Sequence, residues 1–141
     1  GQHSLGTLEY EYALYPHKGD WESANVLQKA YDHKVNLVAI HSLPCADGDL
    51  PSTGSFFEIT PADKLMVSAM KQSADGKAVI LRVWNSSSET VNADIATSLE
   101  VSKACRVKLN EEFIDELKVE DGSVKLNIGP HKIESLYFER Q

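Results

Sequence analysis

No stretch of this 141-residue chain approaches the roughly 18 consecutive apolar residues that a membrane-spanning helix needs, which excludes a helical span. Cations are in short supply. Fourteen Lys and Arg face 21 Asp and Glu, a formal net charge of −7. That balance argues against a nucleic-acid surface, which requires clustered Lys and Arg. Cysteine is scarce too: Cys45 and Cys105 stand far apart with no CxxC partner. Free, buried thiols are expected, because a disulfide would require a secreted parent and nothing in the chain demands one. A cytoplasmic location is the matching expectation. The opening Gly1-Gln2-His3-Ser4 lacks both the basic start and the apolar core of a signal peptide. There is no initiator Met, so the chain is expected to be an excised part of a longer protein. Internal repeats and low-complexity tracts are absent as well.

What is present fits one domain, or one sandwich with an extra strand-helix edge. Apolar residues make up 42% and charged residues 25%, ordinary for a globular domain. A chain of this length buries roughly two-thirds of its unfolded surface, so it needs no metal or disulfide staple.

The most informative segment is Tyr12-Ala13-Leu14-Tyr15-Pro16-His17-Lys18-Gly19-Asp20-Trp21. Residues 8–15 alternate, with Leu8, Tyr10, Tyr12 and Leu14 on one face of an expected strand. Pro16 lacks an N–H and biases Tyr15 towards extended geometry, so the strand should stop there. Gly19 permits a positive φ in the turn. Asp20 is the expected N-cap of a helix from Trp21 to about His33, in which Ala24, Leu27, Ala30 and Tyr31 recur at helical spacing. Glu22 complements the helix dipole. Residues 35–40 read as another strand, and the turn-rich residues 44–54 as an exposed connection.

Short strands punctuated by turns follow. They are expected at residues 55–59, 64–71, 78–84, 90–95, 99–109, 116–119, 124–128 and 133–139. Asp75-Gly76 and Asp121-Gly122 mark hairpin turns. Within 99–109, Leu99, Val101, Cys105, Val107 and Leu109 fall on one side, with Lys103 the exception. The fold class predicted is mainly β: an antiparallel β-sandwich with one N-terminal strand-helix element.

Few residues suggest chemistry. His17 with Asp20 would make a metal pair, yet a third ligand at short spacing is missing, and a hydrogen-bonded turn histidine is the plainer reading. Arg82 sits in an apolar strand, where a lone buried charge is costly, so it should meet a carboxylate or a carbonyl; contact with sugar or a neighbouring domain is the alternative. Trp21 and Trp84 could stack on a sugar ring, but packing in a core or at a domain interface is their commoner use. Glu111 and Glu112 resemble a carboxylate pair, but adjacent strand residues point to opposite faces and cannot flank one bond. Asn85-Ser86-Ser87 matches a glycosylation sequon, a triplet common by chance in Ser-rich turns.

The Tyr12–Trp21 string resembles the C-terminal β-domain of family 38 glycoside hydrolases, the zinc-dependent α-mannosidases. Further segments fit the same family in order: Ser55-Phe56-Phe57-Glu58-Ile59 with Leu65-Met66-Val67-Ser68-Ala69-Met70-Lys71, Ile80-Leu81-Arg82-Val83-Trp84-Asn85, Leu109-Asn110-Glu111-Glu112, Val124-Lys125-Leu126 and Gly129-Pro130-His131-Lys132-Ile133-Glu134-Ser135-Leu136. The family often carries an Asn and a Pro-Leu step after the helix, where this chain has Asp32-His33-Lys34-Val35-Asn36-Leu37. That departure leaves the substrate open, since relatives also act on mannosylglycerate.

The resemblance implies a retaining parent enzyme with a carboxylate nucleophile, a second acid/base group and a zinc ion. None of those residues maps onto this chain. It therefore implies no catalytic, cofactor-binding or metal residue here, and a fragment inactive alone. Zinc would belong to the parent, and the partners would be the catalytic N-terminal and helical domains of the same chain. No nucleic acid and no membrane are expected. Residues 1–50 would belong to the seam with a missing upstream β-domain, and 51–141 would form the C-terminal sandwich. Tyr15, His17, Trp21, Arg82 and Trp84 are the candidates for interface or sugar-proximal roles. Leu8, Tyr10 and Tyr12 should be exposed in the isolated chain. A stand-alone carbohydrate-binding sandwich is the rival reading.

Overall fold

The computed structural model describes residues 6–41, 48 and 51–140. Cys45 and much of the expected connection at 44–54, residues 44–47, 49 and 50, lie outside them. The chain divides into two units, one ending at Val38 and the other beginning at Ala39.

The first unit contains α1, Val26–Lys34. The expected start at Trp21 is corrected by five residues. Asp20 does act as a cap, accepting the Ser23 N–H at 2.7 Å, but on a separate turn spanning residues 21–25. Asn25 ends that turn in the left-handed region, at φ 53, before the helix begins. His33 and Lys34 close the helix where cations suit its dipole. Gly19 takes the positive φ expected of it, 77°. A Cβ there would stand 2.7 Å from Ser23 Oγ. The strands expected at 8–15 and 35–40 are not formed: neither segment belongs to a sheet. A strand exists only through the neighbour that takes its backbone bonds, and no described segment does so.

The second unit is a two-sheet antiparallel sandwich. Its strands are β1 Phe57–Thr60, β2 Leu65–Gln72, β3 Ala78–Asn85, β4 Val91–Thr97, β5 Val101–Val107, β6 Phe113–Leu117, β7 Val119–Glu120, β8 Ser123–Ile128 and β9 Ile133–Arg140. One sheet runs β1-β4-β8-β7 and the other β2-β3-β9-β5-β6. Alternation places one row of each strand between the sheets. Leu81 and Val83 of β3, and Leu136 and Phe138 of β9, meet Val91, Ala93 and Ile95 of β4, and Val124 and Ile128 of β8. Phe57 of β1 tilts against Phe138 at 5.2 Å between ring centroids.

Two sequence expectations change here. The strand expected at 116–119 is really two pieces. β6 pairs with β5 in one sheet and β7 pairs with β8 in the other, so the chain changes sheets at Lys118. β6 is an edge strand, mostly exposed, and such strands show little apolar alternation. The apolar row of β5 was also expected to be one continuous face. Instead Cys105 and Val107 form a second buried cluster with Ile80 and Tyr137 on the outer face of the five-stranded sheet, while Ala104 joins the core. A register shift between Val101 and Lys103 breaks the row.

Candidate functional site

β3 carries two of the candidate residues, Arg82 and Trp84, on the outer face of its sheet. Arg82 is half-buried, and it meets neutral oxygens. Its Nε donates to Ser135 Oγ at 2.9 Å and its Nη2 to the Leu109 carbonyl at 3.2 Å. The second bond ties β3 to the turn between β5 and β6. Glu111 secures the same turn from the other side, accepting the Ala74 N–H at 2.6 Å and an ion pair from Lys71. These contacts, the Ala74 N–H foremost, hold its carboxyl below the usual range. Glu111 stands in the left-handed region at φ 69, and Glu112 turns away to Lys108 Nζ at 2.7 Å. The two glutamates therefore do not act as a pair.

Under this turn lie Ile80, Cys105 and Val107, and a shallow cavity of about 230 Å³ bordered by Tyr137, Glu111 and Phe113. Cys105 is free and buried, and burial pushes its thiol up. Trp84 is half-buried and pairs in register with Met66 on one side and Ile133 on the other. Its register partners on both neighbouring strands are thus apolar.

Tyr15, His17 and Trp21 belong to the other unit. The rings of Tyr15 and His17 lie 5.9 Å apart, and Tyr15 and Trp21 are each about half exposed, at 47% and 45%. Asp20 is held below the usual carboxyl range, mainly by the Ser23 N–H and hydroxyl and to a smaller degree by His17. Among the described residues, no three of His, Cys, Asp and Glu gather to hold a metal ion.

Two polar constellations escaped the sequence reading. Asn85 is fully buried at the end of β3, where its Nδ2 faces the carbonyls of Glu89 (2.7 Å), Gly129 (2.9 Å) and Ile128 (3.0 Å). Its Oδ1 accepts the N–H and hydroxyl of Ser87 at 2.9 and 2.8 Å. Asn85 thus clasps two loops, and its sequon amide is fully engaged inside the fold. The signal was legible: Leu81, Val83 and Asn85 share one face, so an amide stands where the alternation demands an apolar residue. In the second constellation, Tyr137 donates to Asp75 Oδ2 at 2.9 Å, while Asp75 also takes bonds from the Ser73 hydroxyl and the Lys77 N–H. Burial, then that carboxylate, pushes the Tyr137 phenol up to about 12.

Larger clefts are also lined by described residues. One of about 580 Å³ is bordered by Phe56, Glu100 and Arg140; another of about 370 Å³, on the exposed face of the four-stranded sheet, by Glu58, Asp94, Glu120, Asp121 and Lys125. Neither is lined by a tryptophan.

A two-sheet antiparallel sandwich with structural polar clasps defines the class of this domain. Residues 64–136 match the family described as "Glycosyl hydrolases family 38 C-terminal beta sandwich domain". The chain belongs to that family. It is similar to a "Putative mannosylglycerate hydrolase" of Halalkalibacterium halodurans, 34% identical across 96% of this chain and 14% of the relative. It is also similar to "Alpha-mannosidase 2C1" of Mus musculus, 30% identical across 97% of this chain and 13% of the relative. "Alpha-mannosidase G" of Dictyostelium discoideum is 24% identical across 95% of the chain and 12% of the relative. The chain thus spans about an eighth of the length of the curated relatives it matches. Among the described residues, no helix is long and apolar enough to cross a membrane.

Proposed function

We propose that this chain is the non-catalytic C-terminal β-sandwich region of a zinc-dependent, retaining α-mannosidase, and that it stabilises the catalytic part of the same parent. The observation carrying this reading is the family match over the sandwich, joined to similarity along nearly all of this chain but little of each relative. Supporting it, the half-buried Arg82 and Glu111 and the fully buried Asn85 all engage structural partners within the domain. Zinc, the nucleophile and the acid/base group would be supplied by other parts of the parent. Residues 1–50 would lie at the seam with its upstream β-domain, and the parent would work in the cytoplasm.

The name of the Halalkalibacterium halodurans relative favours a second substrate reading, a parent acting on mannosylglycerate-type compounds. Parallel assays of the intact parent on an aryl α-mannoside and on mannosylglycerate separate the two. A parent that cleaves neither contradicts both. Against the rival of a carbohydrate-binding module, calorimetric titration of the isolated chain with mannose oligosaccharides is expected to give no heat. Saturable heat would favour the rival instead.

A further inference from the structure

We infer that residues 8–15 and 35–40 are two β-strands that add to a sheet carried by the rest of the parent chain, so that the domain is joined to it by backbone pairing as well as side-chain packing. This rests on the reading of the chain as part of a larger parent. Three observations converge. First, the residues at alternate positions are apolar and stand in solvent: Leu8 is 65% exposed, Tyr10 82%, Tyr12 85% and Leu14 89%. In the second segment Val35, Leu37, Val38 and Ile40 are likewise exposed, Leu37 wholly. Second, among the described residues no backbone hydrogen bond involves residues 7–19 or 36–41. Backbone N–H and C=O groups demand partners once apolar side chains beside them leave water. Third, the helix between the segments buries no residue, and its ion-pair contact with the first segment, His33 Nε2 to Glu11 Oε1 at 3.7 Å, falls on a residue that alternates with the apolar row.

A period of two selects the kind of surface that fits. Alternating Leu and Tyr suit the pleated face of a sheet, where one row is covered and Glu9 and Glu11 face the other way. A helix-lined groove would instead call for spacings of three and four. An open sheet edge satisfies both demands at once, taking the backbone bonds and covering the row. The occupant is the parent rather than a second copy. Similarity runs along 95–97% of this chain, these segments included, while at least 86% of the Halalkalibacterium halodurans relative lies beyond the match. A strand acceptor on the same chain acts at a high effective concentration that a separate molecule lacks.

Hydrogen–deuterium exchange of the intact parent and of the isolated chain tests this. Peptides covering 8–15 and 35–40 should exchange at least roughly 100-fold more slowly in the parent than in the isolated chain. Equally fast exchange in both overturns the inference; so does equal protection in both, which would indicate pairing between copies of the chain. Substitutions in the parent give a second reading. Tyr10→Asp with Tyr12→Asp should lower its melting temperature, whereas Glu9→Lys with Glu11→Lys should leave it nearly unchanged. Equal effects from the two pairs would contradict a strand. Hydrolysis by the parent is scored separately, so failure of the mannosidase reading leaves the exchange result standing, and the converse holds.

Discussion

Asn85 shows how one residue can hold two loops. Its amide faces three carbonyls from the segments around Glu89 and Gly129, that of Ile128 buried and the other two partly so. Replacing it by alanine removes the bond to the buried Ile128 carbonyl and those from the buried Ser87, and each unsatisfied buried group costs about 1–3 kcal/mol. Asn85→Ala should therefore lose about 2–4 kcal/mol in urea unfolding; a loss near zero would show that water replaces the amide freely. Tyr137 makes a pH-dependent contribution. Its folded phenol titrates at about 12, above the ordinary tyrosine value, so the stabilisation is complete below about 10. It should fade as the pH rises from there towards 12. Tyr137→Phe should therefore flatten the alkaline fall of the urea midpoint relative to wild type, and parallel curves would contradict the assignment. Neither residue was singled out for this role from sequence. Tyr137 needs Asp75, which lies 62 positions away in the chain and is brought close only by the β2–β3 turn packing on β9. Arg82, in contrast, was legible: a cation in an apolar strand must find oxygen, and it finds a carbonyl and a hydroxyl.

Among the elements, alternation made most of the sandwich readable. Residues 78–84 and 133–139 needed only small extensions, because central strands covered on the core side carry the clearest rows. β6 was illegible for the opposite reason, being an edge strand with little to bury. Asp121-Gly122 was read correctly as a turn, since β7 pairs with β8 across it with φ 50 and 74 at its two residues. That geometry matches the twist of the flanking strands. Gly122→Ala forces a Cβ into the left-handed region and within 3.2 Å of the Thr97 carbonyl. It should destabilise the domain by about 1–2 kcal/mol. Gly54→Ala is the control, because its Cβ would meet only Pro51 Cγ at 3.5 Å and should be nearly neutral. If both variants unfold at the same urea concentration, the turn is not held in this conformation. The start of α1 was misread because Asp20 offers a genuine cap, but to a turn that Asn25 ends.

Across the described residues, the most continuous row of exposed apolar side chains lies in the first unit, where Leu8, Tyr10, Tyr12 and Leu14 stand in water. Their exposure was foreseeable from an alternating row without a foreseeable partner. The sandwich itself closes around a single principal core and uses its polar residues to fix loops. No periodicity or spacing in the chain names a sugar; the enzymatic meaning enters through family membership. The most direct test compares hydrolysis of an aryl α-mannoside by the isolated 141-residue chain and by its intact parent at equal molar concentration. The expected result is turnover by the parent and none by the chain. Turnover by the isolated chain would contradict the account.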